Sequence, residues 1–511
     1  MVAPRPRRVW TDRSRIEQAQ RCMRSRWLGY HQDGTGIESL RKPLPLAVGG
    51  SVHVGLAWLL RGHTEDDAAT AALADFATYA SALEVDTTEA AGMAPQSTLA
   101  GTLASSLGLS PEDAGIESLV EQAAHARGDF DDYLAKEQSA LVEGLVRAYA
   151  RRRLGPLLEQ FEVLEVEREG QWELWNDGDT SGWFMSRPDA LLLERGSNLL
   201  YLLSYKTAAS WDIRKARDAE HDMQGLSEGV EVERRLAAWW QEQAEYMAWT
   251  RSTSRMSMYL AQCPAPPRIH AVRYEYMLKG DRRRDKELSA RLGIEARSQT
   301  SHLIRQYAAV STPQRGAAPY TVGDVCWSWD YTRTEDSRDG SLAWQNWKPR
   351  AVWEQPGGVK AWIDKLGAAA PVMSGYDSTV GMAPRELGWQ SEAQALGVTR
   401  QHPFDAVFLP PMTVYRNDDD LRDWIEQTEA QERSIAEGTA VVERAGDEDS
   451  RRSALNVWFP QTRRACEYPS TCAFVPVCYG GEDIRRDPLG SGRYRSRQAN
   501  HPQELEGRNQ R

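Results

Sequence analysis

Two apolar runs separated by a short polar turn are the clearest feature of the hydrophobic pattern. The first run follows Asp189, the second ends at Thr207, and Gly-Ser-Asn at 196–198 separates them. Continuous apolar runs joined by such a turn predict a β-hairpin buried on both faces. The flanking stretches 160–168 and 268–278 alternate apolar and polar residues, which is the period of a half-exposed strand. We therefore expect these strands to form one sheet around the hairpin.

Helical patterns surround the predicted strands. The polar stretch 169–182 is expected to be the loop that turns the first strand into the hairpin. Helices that precede and follow strands in this way predict an α/β fold with a mixed central sheet. The predicted helical regions are 11–30, 44–60, 64–155 (with a break near 94–111 and a strongly amphipathic helix at 137–153), 208–250 and 415–445.

The pattern divides the chain into four parts. Residues 1–278 are predicted to form the core, with a helical amino-terminal part. Residues 279–440 shift to Gly, Pro, Trp and Tyr and are expected to be a largely irregular α+β accessory region. Residues 441–480 return to apolar residues and cysteine, and 481–511 are polar and expected to be disordered.

Composition excludes several classes of protein. The 511 residues carry a net charge of −11, so any nucleic-acid contact must be local. Eight arginines among the first 26 residues form such a local cluster, for which a solvated surface is the ordinary explanation. No run of about 18 apolar residues and no secretory signal are present, and six cysteines are too few for a disulfide scaffold. We expect a cytoplasmic protein without a membrane span. Neither a GxxxxGK[ST] loop nor a GxGxxG turn occurs, so no ATP-driven motor is expected.

Two charged side chains lie where the hairpin should be most apolar. Asp189 begins the first strand and Lys206 ends the second. An unpaired buried charge is costly, so these residues indicate a functional site or one buried ion pair. His53 lies on an apolar helix, where a hydrogen-bonded core histidine is the ordinary alternative to a ligand. Cys22, within the first helix, would ordinarily be a small packing residue.

Five segments, taken in order, resemble the iron–sulfur members of the RecB/AddB-type branch of the PD-(D/E)XK nuclease superfamily. VGGSVHVGLAWLL is similar to the Gly-x-x-x-His helix of that branch, RPDALL to its PD strand, and LLSYKTA to its (D/E)-x-K-T strand. RCMRSRW resembles the upstream cysteine segment and ACEYPSTCAFVPVC the terminal three-cysteine segment. The resemblance covers roughly 10–60, 140–250 and 456–480, and it implies a restriction-endonuclease-like core.

The resemblance also implies a catalytic site for phosphodiester hydrolysis. His53 and Asp189 would bind Mg²⁺ or Mn²⁺, which takes oxygen or imidazole ligands, and Lys206 would be the catalytic lysine. Ser204 departs from the family, which has a carboxylate at that position. Gln224 would position the substrate or site, with Gln243 and Tyr246 as a second choice. The candidate acids to replace the missing carboxylate are Glu165, Glu167, Glu194 and Asp222.

The cysteines form a second predicted site. Cys466, Cys472 and Cys478 are spaced six residues apart, and Cys22 would supply a fourth thiolate from the other end of the chain. Four thiolates suit a [4Fe–4S] cluster or Zn²⁺, and the absence of paired C-x₂₋₄-C knuckles favours the cluster. Zinc and no metal remain as alternatives. Cys263 and Cys326 are expected to be structural.

The function implied is a metal-dependent DNA nuclease, exonuclease-like, in DNA repair or recombination or in phage DNA processing. Its substrate would be single-stranded DNA or displaced ends, and unwinding would come from a separate helicase or recombination protein. The alternative is a nuclease-derived DNA-binding module that has lost catalysis, with Ser204 as the mark of the loss. A structural protein with an incidental Asp–Lys pair is the third hypothesis.

Overall fold

A computed structural model gives the fold as mixed sheets flanked by helices. The strands are Arg7–Asp12 (β1), Ile37–Ser39 (β2), Phe161–Val166 (β3), Gly170–Asn176 (β4), Thr180–Ser186 (β5), Ala190–Glu194 (β6), Leu200–Ala208 (β7), Ile269–Leu278 (β8), Trp329–Arg333 (β9), Trp347–Ala351 (β10), Met412–Val414 (β11) and Tyr494–Ser496 (β12). The residues described are 7–40, 44–93, 135–208, 219, 222–246, 255–279, 329–333, 347–351, 353, 356–368, 408, 411–415, 417–467, 471–499, 501 and 504.

The helices agree with the predicted helical regions at 44–60, 137–153 and 415–445. The predicted helix at 11–30 is divided, because Cys22 adopts an extended conformation (φ −164°) between two shorter helices. The helices are Arg13–Arg21 (α1), Met23–Tyr30 (α2), Leu44–Leu60 (α3), Glu65–Met93 (α4), 135–149 (α5), Gly155–Gln160 (α6), Met223–Tyr246 (α7), Arg255–Gln262 (α8), Gly358–Ala368 (α9), Asp418–Glu443 (α10), Glu448–Trp458 (α11), Val475–Tyr479 (α12) and Glu482–Arg486 (α13).

The predicted hairpin lies within a five-stranded sheet of order β11-β8-β7-β6-β3. Strands β6 and β7 pair antiparallel, β8 joins β7 in parallel, and β3 pairs antiparallel with β6. The sheet is therefore mixed, as the sequence predicts. Strand β11 pairs antiparallel with β8, although the sequence placed its residues in the accessory region.

Helices cover both faces of this sheet. Leu192 and Leu203 pack with α3, α4 and α5, whereas Leu191 and Leu202 pack with α7 and α8. Because neighbouring strand residues point to opposite faces, a strand covered on both sides has to be apolar throughout. This explains the two continuous apolar runs of the hairpin.

The loop expected at 169–182 is instead part of a second sheet. Strands β4 and β5 pair antiparallel, and the amino-terminal strand β1 lies parallel to β5. The residues that hold this sheet together are aromatic: Trp172, Trp175 and Phe184 are buried against helix α10 at Trp424. Polar residues lie between these aromatic residues, so the sequence pattern of the two strands resembles that of a loop.

The segment beyond residue 480, for which we expected disorder, is ordered where it is described. Strand β12 pairs antiparallel with β2, and Tyr494 packs against Phe474. Glu504 is buried and lies 2.5 Å from Arg15, so this segment is held by the amino-terminal helices. None of the helices among the described residues is long and apolar enough to cross a membrane.

Candidate active site at the end of the central hairpin

Helix α3 brings His53 to the end of strand β7. A Cβ atom placed on Gly49 would lie 3.0 Å from Thr207 Oγ1, so a glycine here lets the helix approach the strand closely. Residues four apart lie on the same face of a helix. His53 is therefore presented to the same end of the sheet, where its ring meets the edge of Tyr205 at 5.9 Å between centroids.

Asp189 lies just before β6 and is fixed by two contacts. Its Oδ1 lies 3.0 Å from His53 Nδ1, and its Oδ2 accepts a hydrogen bond of 2.7 Å from the backbone N–H of Tyr205. The Asp189 side chain is 11% exposed and that of His53 28% exposed. Both therefore sit at an opening that solvent reaches, with the carboxylate held in one orientation.

The charges of this pair stabilise each other. Burial acts to lower the pKa of His53, but the charge of Asp189 and, to a smaller extent, that of Glu167 outweigh it, so the pKa is raised. Burial acts to raise the pKa of Asp189, and His53 with the Tyr205 N–H reverses this, so the pKa is lowered. The imidazolium–carboxylate form is thus favoured near neutral pH.

Lys206 follows Tyr205 on β7 and pairs with a carboxylate of its own. Its Nζ is 2.8 Å from Oδ2 of Asp222, one residue before α7, and 5.8 Å from the ring centre of Tyr274. The Lys206 charge acts to lower the pKa of both His53 and Asp189. The three predicted residues therefore share one electrostatic environment.

Ser204 is fully buried on β7, two residues before Lys206. Its Oγ has no hydrogen-bond partner among the described residues. A buried hydroxyl without a partner is uncommon, since the desolvation cost is not repaid. Position 204, where the resemblance predicts an acid, therefore holds a polar group with unused bonding capacity.

Two of the four candidate acids are at the site and two are not. Glu165 forms an ion pair with Arg235 at 2.9 Å, and Glu194 lies next to the hairpin turn at the opposite end of the strands. Glu167, by contrast, donates its backbone N–H to the carbonyl oxygen of Asp189 at 3.0 Å. Of the four candidate acids, Glu167 and Asp222 are therefore the two at this end of the sheet.

The backbone of Glu167 carries strain. Its φ is 47°, the left-handed region that residues other than glycine rarely adopt. Such a conformation persists only where the surroundings enforce it, and strain of this kind collects at functional sites. The side chain is 25% exposed and lies 3.9 Å from Arg61.

The helix residues proposed to position the substrate lie on α7. Gln224 falls in its first turn, while Gln243 and Tyr246 fall in its last turn. Their side chains lie outside the described residues, so their assigned role stays a prediction. Glu228, one turn after Gln224, is buried.

Three of the four cysteines assigned to the second site lie near enough to the fourth, Cys478, for their charges to affect its thiol. The backbone N–H of Thr462 donates to Cys22 Sγ at 3.4 Å, which joins the two ends of the chain. The pKa of the Cys478 thiol is raised to about 11, chiefly by burial; Arg24 acts to lower this pKa, and Cys22, Cys472 and Cys466 act to raise it. Cys263 lies apart, one residue after α8, and Cys326 is outside the described residues.

The pair of tyrosines that packs next to His53 was not identified from the sequence. Tyr205 OH donates a hydrogen bond of 3.0 Å to Tyr149 OH, a contact between β7 and α5 buried under the imidazole. Strand alternation could have indicated it, because Tyr205 and Lys206 are neighbours on β7 and so face opposite sides of the sheet, with Tyr205 on the side of α3 and α5. Nothing in the sequence could have identified Tyr149 as its partner.

Within the part of the chain that is described, no group of three or more His, Cys, Asp or Glu side chains is gathered closely enough to hold a metal ion as it stands. At the candidate active site the two direct neighbours are His53 and Asp189. No protein-family model matches the chain, and no curated protein gives a significant match.

Proposed function

We propose that the protein is a metal-dependent deoxyribonuclease with a restriction-endonuclease-like core. One observation carries the proposal: an imidazole, a carboxylate and an ammonium from three distant segments, His53, Asp189 and Lys206, lie within one charged environment at the end of one strand. All three side chains are partly exposed, so a substrate can reach them from solvent.

The His53–Asp189 pair fits a divalent cation. The 3.0 Å between Nδ1 and Oδ1 equals the separation of adjacent ligands in an octahedral shell with bonds of about 2.1 Å. Oxygen and imidazole donors together suit Mn²⁺ as well as Mg²⁺. Such an ion would supply positive charge for a phosphate and lower the pKa of a bound water.

The other steps that the reaction requires are assigned to separate residues of the chain. Asp189 keeps one orientation through the Tyr205 N–H, and His53 must lose its Nδ1 proton before this nitrogen can act as a ligand. Lys206 is near enough to affect the pKa of both residues, and its ammonium would offset the charge of a phosphate and orient a water molecule for attack. Asp222, 2.8 Å from the ammonium, positions this side chain.

Glu167 is the acid that we assign in place of the one absent at 204. Its charge acts to raise the pKa of His53, and its backbone N–H donates a hydrogen bond to the carbonyl oxygen of Asp189. Ser204 contributes a buried hydroxyl instead of a charge. A carboxylate supplied from a neighbouring strand restores the negative charge that a divalent ion needs.

The four cysteines are proposed to hold a [4Fe–4S] cluster. Their thiols influence one another and come from both ends of the chain, which fits an all-thiolate ligand set. When bound, a cluster would tie α1 and α2 to the terminal segment, since metal binding is coupled to folding.

The substrate we propose is DNA that is single-stranded or has displaced ends, in the cytoplasm. The sequence contains no nucleotide-hydrolysing motif, so unwinding would come from a separate helicase or recombination protein. The repair, recombination or phage-processing setting follows from the same resemblance.

A catalytically impaired DNA-binding module is the second candidate. The observation in its favour is Ser204, which removes a full negative charge from the position where the family has one. This alternative predicts salt-dependent DNA binding without cleavage in any divalent metal.

Cleavage of end-labelled single-stranded DNA tests the proposal. With Mg²⁺ or Mn²⁺ the wild-type protein should cut, and Lys206→Ala should reduce the rate at least about a hundredfold, the usual loss for a proton-transfer or charge-stabilising group. Lys360→Ala is the matched control, because this exposed lysine pairs with Asp66 away from the site. Equal rates in the two variants would contradict the assignment, and no cutting by wild type would favour the binding module.

A further inference from the structure

A cavity lies between the amino-terminal strand β1 and the end of helix α10. Its volume is about 730 Å³, and β1, the turn after α2 and the last turns of α10 line it. This size falls within the range of small-molecule sites, roughly 300–1,000 Å³. None of the residues of the proposed active site lines it.

The lining of this cavity is rich in arginine. Some of these guanidinium groups meet acids, for example Arg7 with Glu443 at 3.0 Å. Arg444 does not: its Nε donates to the carbonyl oxygen of Ala440 in its own helix, and no carboxylate in the described part of the chain forms an ion pair with it. The charged lining residues are Arg7, Arg8, Arg15, Arg433, Arg444 and Arg497, against Asp177, Glu437 and Glu504.

Aromatic rings stand between the arginines. Trp10, Trp175 and Trp458 all line the cavity. The guanidinium carbon of Arg8 lies 5.8 Å from the ring centre of Trp10, and that of Arg433 lies 5.3 Å from that of Trp175. Trp10 is buried, and its Nε1–H has no acceptor among the described residues. The wall therefore places aromatic rings next to positive charge.

Behind this wall the positive charge is held rigidly. The guanidinium carbons of Arg15 and Arg497 lie 4.7 Å and 4.5 Å from the ring centre of Tyr30. Both arginines are buried and both contact Glu504, and Arg15 also pairs with buried Asp12 at 3.1 Å. The charges behind the wall are therefore paired, so the positive charge available to a ligand is that of the exposed arginines, Arg444 among them.

We propose that this cavity binds a nucleotide. Its phosphate would contact the exposed arginines Arg8 and Arg444, and its base would lie against the tryptophans. Guanidinium groups bind phosphate through paired hydrogen bonds, and aromatic rings stack on bases of any sequence. The nucleotide is either free or one unit of a single strand of DNA. The site is separate from the proposed metal site and does not require cleavage.

Equilibrium binding in EDTA tests the proposal, since no divalent metal is present and the result is independent of the nuclease assay. Isothermal titration with dAMP and with inorganic phosphate, and anisotropy of a fluorescein-labelled oligothymidylate, are measured on the full chain. Arg444→Gln and Arg8→Gln should each weaken nucleotide binding roughly tenfold, because each removes a charge-assisted hydrogen bond. Both side chains are exposed, so neither change should unfold the protein.

Arg422→Gln is the matched control, because Arg422 is an exposed arginine at the start of the same helix, where it pairs with Asp419 at 3.2 Å. Binding of dAMP and of the oligonucleotide would assign a site for free nucleotide, and binding of the oligonucleotide alone would assign a strand-binding site; both support the proposal. Nucleotides that bind no more tightly than inorganic phosphate would overturn it. So would Arg444→Gln and Arg8→Gln variants that match the control.

Discussion

The pair of His53 and Asp189 makes a quantitative prediction about stability. Because their side chains are only 28% and 11% exposed, their charged hydrogen bond should couple the two residues by about 1–2 kcal/mol, below the ~1.5–3 kcal/mol of fully buried bonds to charged groups. The coupling is obtained from four proteins: wild type, His53→Asn, Asp189→Asn and the double variant. Urea unfolding followed by circular dichroism gives the free energy of unfolding of each.

The pH dependence of this coupling follows from the pKa shifts. The raised pKa of His53 stabilises the fold fully below its ordinary value of 6.5, and the contribution is lost as pH rises through the raised pKa. The lowered pKa of Asp189 stabilises the fold above its ordinary value of 3.8, and this is lost as pH falls through the lowered pKa. The coupling should therefore be largest near pH 5–6, roughly between these two values, and smaller near pH 9. Coupling below about 0.3 kcal/mol at both pH values would refute the reasoning, because independent sites add within that limit.

Three further predictions concern single residues. Asp222→Asn should slow metal-dependent cleavage about tenfold or more by releasing Lys206, whereas Glu194→Gln, at the far end of the hairpin, should leave the rate unchanged. Anaerobically purified Cys478→Ser should lose the broad visible absorption and the bound iron that we expect of wild type, and Cys263→Ser should retain both; a colourless wild-type protein would contradict the cluster. Ser204→Asp should destabilise the protein by several kcal/mol in the absence of metal, because the new carboxylate would be fully buried, and its melting temperature should recover when Mn²⁺ is added. A variant as stable as wild type without metal would count against the assigned position of residue 204.

The parts of the fold that the sequence predicted are those with strong local signals. The hairpin, α3 and β8 follow from runs and periods of apolar residues, because burial on one or two faces leaves a direct mark on the sequence. The second sheet left no such mark. Its strands β4 and β5 bury tryptophans between polar residues, and β1 reaches β5 from more than 150 residues away, a pairing that no local pattern specifies.

In the candidate site, too, some residues could be predicted from local sequence signals and others could not. Asp189 and Lys206 stand out because they are charges in apolar strands, and Gly49 with His53 because of their spacing on a helix. The difference between Glu165 and Glu167 could not be predicted. Both follow the same alternating pattern, and only the left-handed turn at Glu167 and the ion pair of Glu165 with Arg235 separate them. The order found beyond residue 480 likewise depends on partners in the first 40 residues, such as Arg15.

The central claim is that His53 and Asp189 bind one cation, and pulsed electron paramagnetic resonance of the Mn²⁺-loaded protein tests it most directly. We predict a nitrogen coupling to the bound Mn²⁺ that persists in His63→Asn, an exposed histidine, and disappears in His53→Asn. Asp189→Asn should weaken Mn²⁺ binding by at least about tenfold, the loss expected when a ligand or its close partner is removed. Bound Mn²⁺ without nitrogen coupling, or a coupling that survives in His53→Asn, would contradict the account.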